Sequence, residues 1–154
     1  MDLTIEHDPD PGDVAWLERR VAEETARGTN RVDETEAELA IFVRSEAGAI
    51  LAGIYASTWG GCAELQHLWV DETQRGRGLG ARLIDAAEAE AARRGCRQVV
   101  LFTHAANTGS GGRRWTRRGY ELVGRVDDYP IGDAALWYRK ALTPSPSPTG
   151  GPGT

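Results

Sequence analysis

The stretch Leu68-Trp69-Val70-Asp71-Glu72-Thr73-Gln74-Arg75-Gly76-Arg77-Gly78-Leu79-Gly80 passes from a strand-like run, through a glycine-rich turn, into a long amphipathic helix. Glycine lets backbone amides face a ligand closely, and the first turn of a helix leaves four N–H groups unpaired at the positive end of its dipole. Such a turn is an anion cradle, to which Arg75 and Arg77 add forked donors. The glycine spacing fits neither GxGxxG nor GxxxxGKS/T, so the dinucleotide and nucleoside-triphosphate loops are excluded. The alternative is an ordinary glycine-rich turn with solvated arginines.

Around this stretch the hydrophobic pattern reads as alternating strands and helices. In residues 62–70 (CAELQHLWV), strict alternation would put Glu64, Gln66, Leu68 and Val70 on one face and Ala63, Leu65, His67 and Trp69 on the other. From Gly78 to Arg94, Leu79, Leu83, Ala87 and Ala91 recur every four residues, Ile84 and Ala86 widen the stripe, and Gly95 stops the helix. Upstream, residues 38–44 and 49–58 predict two antiparallel strands joined by the turn Ser45-Glu46-Ala47-Gly48. Near the N-terminus, Asp10-Pro11-Gly12-Asp13 starts a helix that should reach Arg27, followed by a polar loop over residues 29–36. Downstream come a strand over 96–103, a small and polar stretch over 104–112, a short arginine-rich helix ending at Gly119, and strands over 120–126 and 134–142.

A chain of 154 residues, 40% apolar and 27% charged, suits one domain, here residues 1–142. Residues 143–154 contain only Thr, Pro, Ser and Gly and predict a disordered tail. The apolar runs are a handful of residues long against the roughly 20 that span a bilayer, so no membrane span is expected. The N-terminus lacks the basic start and apolar stretch of a secretory signal, which points to a cytoplasmic protein. A net charge of -5 argues against general affinity for nucleic acid. Cys62 and Cys96 stand 34 positions apart without a CxxC or a His pair, and read as reduced structural thiols rather than metal ligands.

The hexad Arg75-Gly76-Arg77-Gly78-Leu79-Gly80 resembles the Arg/Gln-x-x-Gly-x-Gly/Ala signature of the GCN5-related N-acetyltransferase (GNAT) superfamily. The order of elements over residues 36–142 is similar too, and Arg118-Gly119-Tyr120 looks like the family's closing Leu-Gly-Phe/Tyr. The resemblance implies an α/β (α+β) fold with a central mixed, mostly antiparallel sheet, helices on both faces, and strands that splay at the coenzyme site. It implies that Arg75, Gly76, Arg77, Gly78, Leu79 and Gly80 hold the pyrophosphate of coenzyme A. Leu68, Trp69 and Val70 would offer backbone groups to the pantetheine arm, and Asn107 sits where the family often has an Asn that bonds that arm. The implied function is transfer of an acetyl group from acetyl-CoA to a primary amine of a small molecule or peptide by direct attack. A coenzyme-binding module with weakened turnover, and an acyltransferase using another acyl group or nucleophile, are the alternatives. The family is often dimeric, so a homodimer stands open.

Amide formation from a thioester needs a sink for the amine's proton. Glu64, eleven residues before Arg75 on the same strand, resembles the general-base Glu of the histone acetyltransferase branch. It could equally attract a cationic substrate or serve structure. Strict alternation turns His67 away from Glu64, and His104 stands at a strand end where it could relay a proton. The Arg113, Arg114, Arg117 and Arg118 cluster reads as a second phosphate contact or as a solvated helix face. Many family members carry, four residues before the last motif's glycine, a Tyr that protonates the leaving thiolate. Trp115 stands there instead, and an indole N–H cannot practically transfer its proton. Tyr120 and Tyr129 are the candidates to replace it. Tyr55, Trp59 and Trp137 could line an acceptor pocket, with Asp127, Asp128 and Asp133 as an acidic rim.

Overall fold

The computed structural model of the chain describes residues 3–28, 35–108 and 111–143. The expected tail, most of the loop over 29–36 and part of the glycine-rich stretch over 104–112 lie outside the described residues. Contacts divide the chain into two units, Met1–Val32 and Asp33–Thr154. The first holds helix α1 (Pro11–Gly28), whose start follows the capping logic of its sequence. The Asp10 carboxylate accepts the Gly12 N–H at 2.7 Å, and its carbonyl accepts those of Asp13 and Val14.

The second unit is a six-stranded mixed sheet with strands β1 (Ala37–Arg44), β2 (Ile50–Trp59), β3 (Cys62–Val70), β4 (Gln98–His104), β5 (Glu121–Asp127) and β6 (Ala134–Ala141). Their spatial order is β1-β2-β3-β4-β6-β5. Among the described residues only β3 and β4 run parallel, and they are joined by a long helical crossover, α2 (Leu79–Arg93). A short helix, α3 (Gly111–Arg117), leads into β5. This is the mostly antiparallel α/β arrangement that the resemblance implied.

The core lies where α2 covers the sheet. Leu83, Ile84, Ala87 and Ala91 of α2 pack with Leu39, Ala52, Ile54, Ala56, Ala63, Leu65, Val99 and Leu101 in one buried cluster. The four-residue repeat of α2 thus meets the two-residue repeat of β1 to β4. Fully buried Ile54, Ile84 and Val99 each contribute about 1.5–3 kcal/mol by leaving water.

Both helices that follow β3 end the same way, which explains two shifted boundaries. Gly95 and Gly119 take left-handed φ of 86° and 87°. After α2, the Gly95 N–H donates to the Ala92 carbonyl and that of Cys96 to the Ala91 carbonyl. After α3, the Gly119 N–H donates to Thr116 and that of Tyr120 to Trp115. Each pair is a Schellman closure, so Cys96 and Tyr120 are spent on ending a helix rather than starting a strand. The hydrophobic contact that accompanies this motif is the Trp115–Tyr120 ring pair, with centroids 5.2 Å apart.

Candidate active site

The sheet opens at one point. Residues 62–65 of β3 pair with residues 98–101 of β4, and the ladder then stops although both strands continue, to Val70 and His104. From Gln66 onward, the β4-facing edge of β3 has no strand partner. The cause lies on the other edge of β3. There Ala56 pairs with Leu65 and Tyr55 with His67, so Gln66 is an extra residue, a β-bulge that bends β3 away from β4. The Gln66 side-chain amide donates to the Ser57 hydroxyl at 3.1 Å, tying the bulge to β2.

The bulge overturns the strict alternation expected for β3. Ser57 faces Glu64 and Tyr55 faces His67, and residues two apart on β2 share a face, so Glu64 and His67 lie on the same side of the sheet. The His67 ring stacks on Tyr55 at 6.0 Å. Beyond the bulge Leu68 and Val70 turn to the core, where both pack against the buried cluster, and Trp69 turns outward.

Two clefts occupy the opening and share Leu68, Trp69 and Arg114 in their walls. The first, about 650 Å³, lies at the glycine-rich turn for which an anion cradle is expected. Gly76, Gly78, Leu79 and Gly80 line it. Gly76 and Gly78 hold left-handed φ of 78° and 76°, and Gly78 caps α2 without any side-chain bond to the helix's first turn. The amides of that turn are therefore available to a ligand. Arg75, Arg114, Arg117 and Arg118 add cationic walls, and no carboxylate is among the described lining residues. Arg75 is held by donating its Nε–H to the Val70 carbonyl at 3.1 Å, and Arg118 by an ion pair with Asp85. The arginine cluster thus splits, with Arg114, Arg117 and Arg118 reaching the cleft and Arg113 standing outside it. Arg77 also lies outside, its guanidinium donating to the Gln74 side chain at 3.4 Å.

The second cleft, about 660 Å³, runs between the splayed ends of β3 and β4. Its walls include Gln66, His67, His104, Asn107, Arg114 and Trp115. Asn107 lies in the 3₁₀ turn Ala105–Thr108 that follows β4. Glu64 is exposed on β3, opposite Ser57 and Val100, one residue before the walls of this cleft begin at Leu65.

Among the candidates for a proton donor, Tyr120 is removed by its surroundings. Its ring is 3% exposed and its hydroxyl donates to the Glu88 carboxylate at 2.9 Å, on the α2 side of the sheet. Burial, with the negative charge of Glu88, pushes its phenol well above the ordinary range. Tyr129, Tyr55, Trp59 and Trp137 line neither cleft. Trp137 packs instead on Phe102, with centroids 4.9 Å apart.

Comparison with known proteins agrees with this fold. The family described as acetyltransferase (GNAT) family matches residues 3–120. An acetyltransferase of Agrobacterium fabrum is 28% identical over 103 residues, 67% of this chain and 73% of that protein. The blasticidin-S acetyltransferase of Streptomyces morookaense is 34% identical over 96 residues, 60% of this chain and 67% of that protein. The crystal structure of an acetyltransferase from Bacillus cereus superposes with a TM-score of 0.79 at 24% identity, covering 90% of this chain and 98% of that one.

Proposed function

The chain belongs to the acetyltransferase (GNAT) family, and from that premise we propose that it moves an acetyl group from acetyl-CoA to a primary amine of a small molecule or peptide by direct attack. The observation that carries the reading is the continuity of the two clefts. One end presents free helix amides and guanidinium groups suited to a pyrophosphate, and the other presents a splayed strand edge and polar side chains. When bound, acetyl-CoA supplies a thioester whose carbonyl carbon takes the amine and whose sulfur departs.

In this reading Arg75, Gly76, Gly78, Leu79 and Gly80 hold the pyrophosphate, with Arg77 at the outer side of the loop. Leu68, Trp69 and Val70 offer backbone groups to the pantetheine arm, and Asn107 bonds it from the facing wall. Glu64, next to the cleft-lining Leu65 on β3, accepts the amine's proton directly or through water. The similarity to blasticidin-S acetyltransferase favours a small-molecule acceptor. Trp115 favours one competing reading, a module that keeps the coenzyme and has weak turnover, because an indole gives up no proton.

The test is thiol release from acetyl-CoA over a panel of amines, beside a thermal shift with coenzyme A. Stabilisation with release on one amine is the expected result. Stabilisation without release on any amine would favour the binding module, and no stabilisation at saturating coenzyme would remove the phosphate-loop reading. Glu64→Gln is expected to lower kcat about 100-fold while leaving the coenzyme's thermal shift unchanged, as loss of a general base should. Full turnover in that variant would take Glu64 out of the role.

A further inference from the structure

In the second cleft a proton-carrying group is present where the expected tyrosine is not. The imidazoles among the described residues on its walls are those of His67 and His104. Of these, only His104 has a carboxylate within reach among the described residues, with its Nδ1 4.0 Å from Oδ2 of Asp133. That nitrogen is sealed from solvent and has no hydrogen-bond partner, whereas the side chain as a whole is 33% exposed and lines the cleft. The buried Nδ1 edge of the ring therefore faces Asp133, while the side chain still borders the cleft.

Asp133 is built to serve this contact. Its Oδ1 accepts two backbone N–H groups, from Ala134 at 2.7 Å and Ala106 at 3.0 Å. The first begins β6 and the second follows β4, so the carboxylate straps the two together beside His104 with Oδ2 left over. The Ala134 amide, then that of Ala106 and the charge of His104, hold the Asp133 carboxyl below the usual carboxylate range. It is thus a fixed anion with one free oxygen. Only about 1 Å of approach separates the 4.0 Å contact from a hydrogen bond, and catalytic bonds are commonly long before substrate binds.

We propose that His104, oriented by Asp133, is the catalytic residue that hands a proton to the departing sulfur. The inference rests on the acetyl-transfer reading of the clefts. As the C–N bond forms and the C–S bond breaks, the imidazolium Nε2–H passes its proton to the thiolate, and Asp133 stabilises the imidazolium through Nδ1–H. The proton lost by the amine goes to Glu64 and on to solvent, from which His104 recharges. Charged and titratable neighbours come from three elements. Arg114 of α3 and His67 of β3 share the cleft, and Arg125 of β5, itself paired with Asp127, bears on Asp133. Arg114 and Arg125 oppose the imidazolium and Asp133 favours it.

The experiment measures kcat and KM from pH 5.5 to 9.5 for wild type, His104→Gln and Asp133→Asn, with the His104 tautomer and titration read by ¹⁵N nuclear magnetic resonance. Asp133→Asn keeps an oxygen for both backbone amides and removes only the charge. Because the imidazolium is the active form, wild-type kcat should fall as pH rises through its ionisation. His104→Gln should lower kcat about 100-fold with the KM for acetyl-CoA unchanged, and abolish that falling limb. Asp133→Asn should move both the limb and the titration to lower pH, and a purely structural Asp133 would move neither. Unchanged kcat in His104→Gln, or neutral His104 carrying its proton on Nε2 in the wild type, overturns the proposal. A wild type that releases no thiol on any amine overturns the acetyl-transfer reading and the proton donor with it, whereas an active wild type with an indifferent His104 overturns only the latter.

Discussion

Gly78→Asp should weaken coenzyme A binding about 100-fold relative to Gly78→Asn, while the two variants melt at the same temperature. Gly78 holds φ of 76°, and a Cβ added there meets no atom within 4 Å. Both substitutions therefore carry only the left-handed backbone strain, about 1 kcal/mol for residues that tolerate this region best. Melting should drop by roughly 3 °C in each. The difference between them is charge. An Asp carboxylate at the cap of α2 would stand where a pyrophosphate meets the helix amides. At an effective dielectric near 20 and a separation of about 6 Å, each like-charge pair costs about 3 kcal/mol, hence about two decades in affinity. Calorimetric titration of coenzyme A into both variants measures it. Equal affinities would mean that the loop is a turn and not a phosphate site.

The parts of this architecture that could be read ahead of the structure are those governed by local period. The repeat of Leu79, Leu83, Ala87 and Ala91 specifies a helix face because each sits one turn above the last, and residues 62–70 became β3 with unchanged ends. The place of the glycine-lined cleft was readable as well, since glycine and the helix start lie within a few residues of each other. The facing of β3 was not. Nothing local marks Gln66 as the bulged residue, which is set by how β2 registers against β3, and a single inserted residue reverses the side of everything after it. The His104–Asp133 pair escaped for a similar reason. The two residues are 29 positions apart and meet only because β4 and β6 are neighbours, with Ala135 paired to His104. Asp133 looked like one of several acidic rim residues until its two amide bonds distinguished it. Tyr120 looked available as a proton donor because its burial depends on the turn at Gly119 and on Glu88, 32 residues earlier.

That last contact carries the largest stability effect expected in the molecule outside its apolar core. Glu88, on the inner face of α2 with its side chain 12% exposed, accepts from the Tyr120 hydroxyl at 2.9 Å and from the Lys140 ammonium at 2.8 Å. The ammonium also stands 5.6 Å over the Tyr120 ring. One carboxylate thus joins the crossover helix, the entry to β5 and the end of β6. Glu88→Ala leaves a mostly buried cation and a buried phenol without their acceptor, and should destabilise by about 3 kcal/mol. For a chain of this size that corresponds to a melting temperature roughly 10 °C lower. Replacing Glu88, Lys140 and Tyr120 together by Leu, Met and Phe should recover most of the loss, because the penalty comes from stranded polar groups rather than from missing volume. Alkaline titration separates the phenol's share. Its folded ionisation lies above that of a free tyrosine, so the native state holds a proton that the unfolded chain releases above about pH 10. The phenol's contribution is fully present below that pH and is lost as pH rises towards the folded value. Tyr120→Phe should therefore be less stable than wild type at neutral pH but lose less stability above pH 10. Parallel denaturant curves for wild type and variant would mean that the hydroxyl is not held by Glu88.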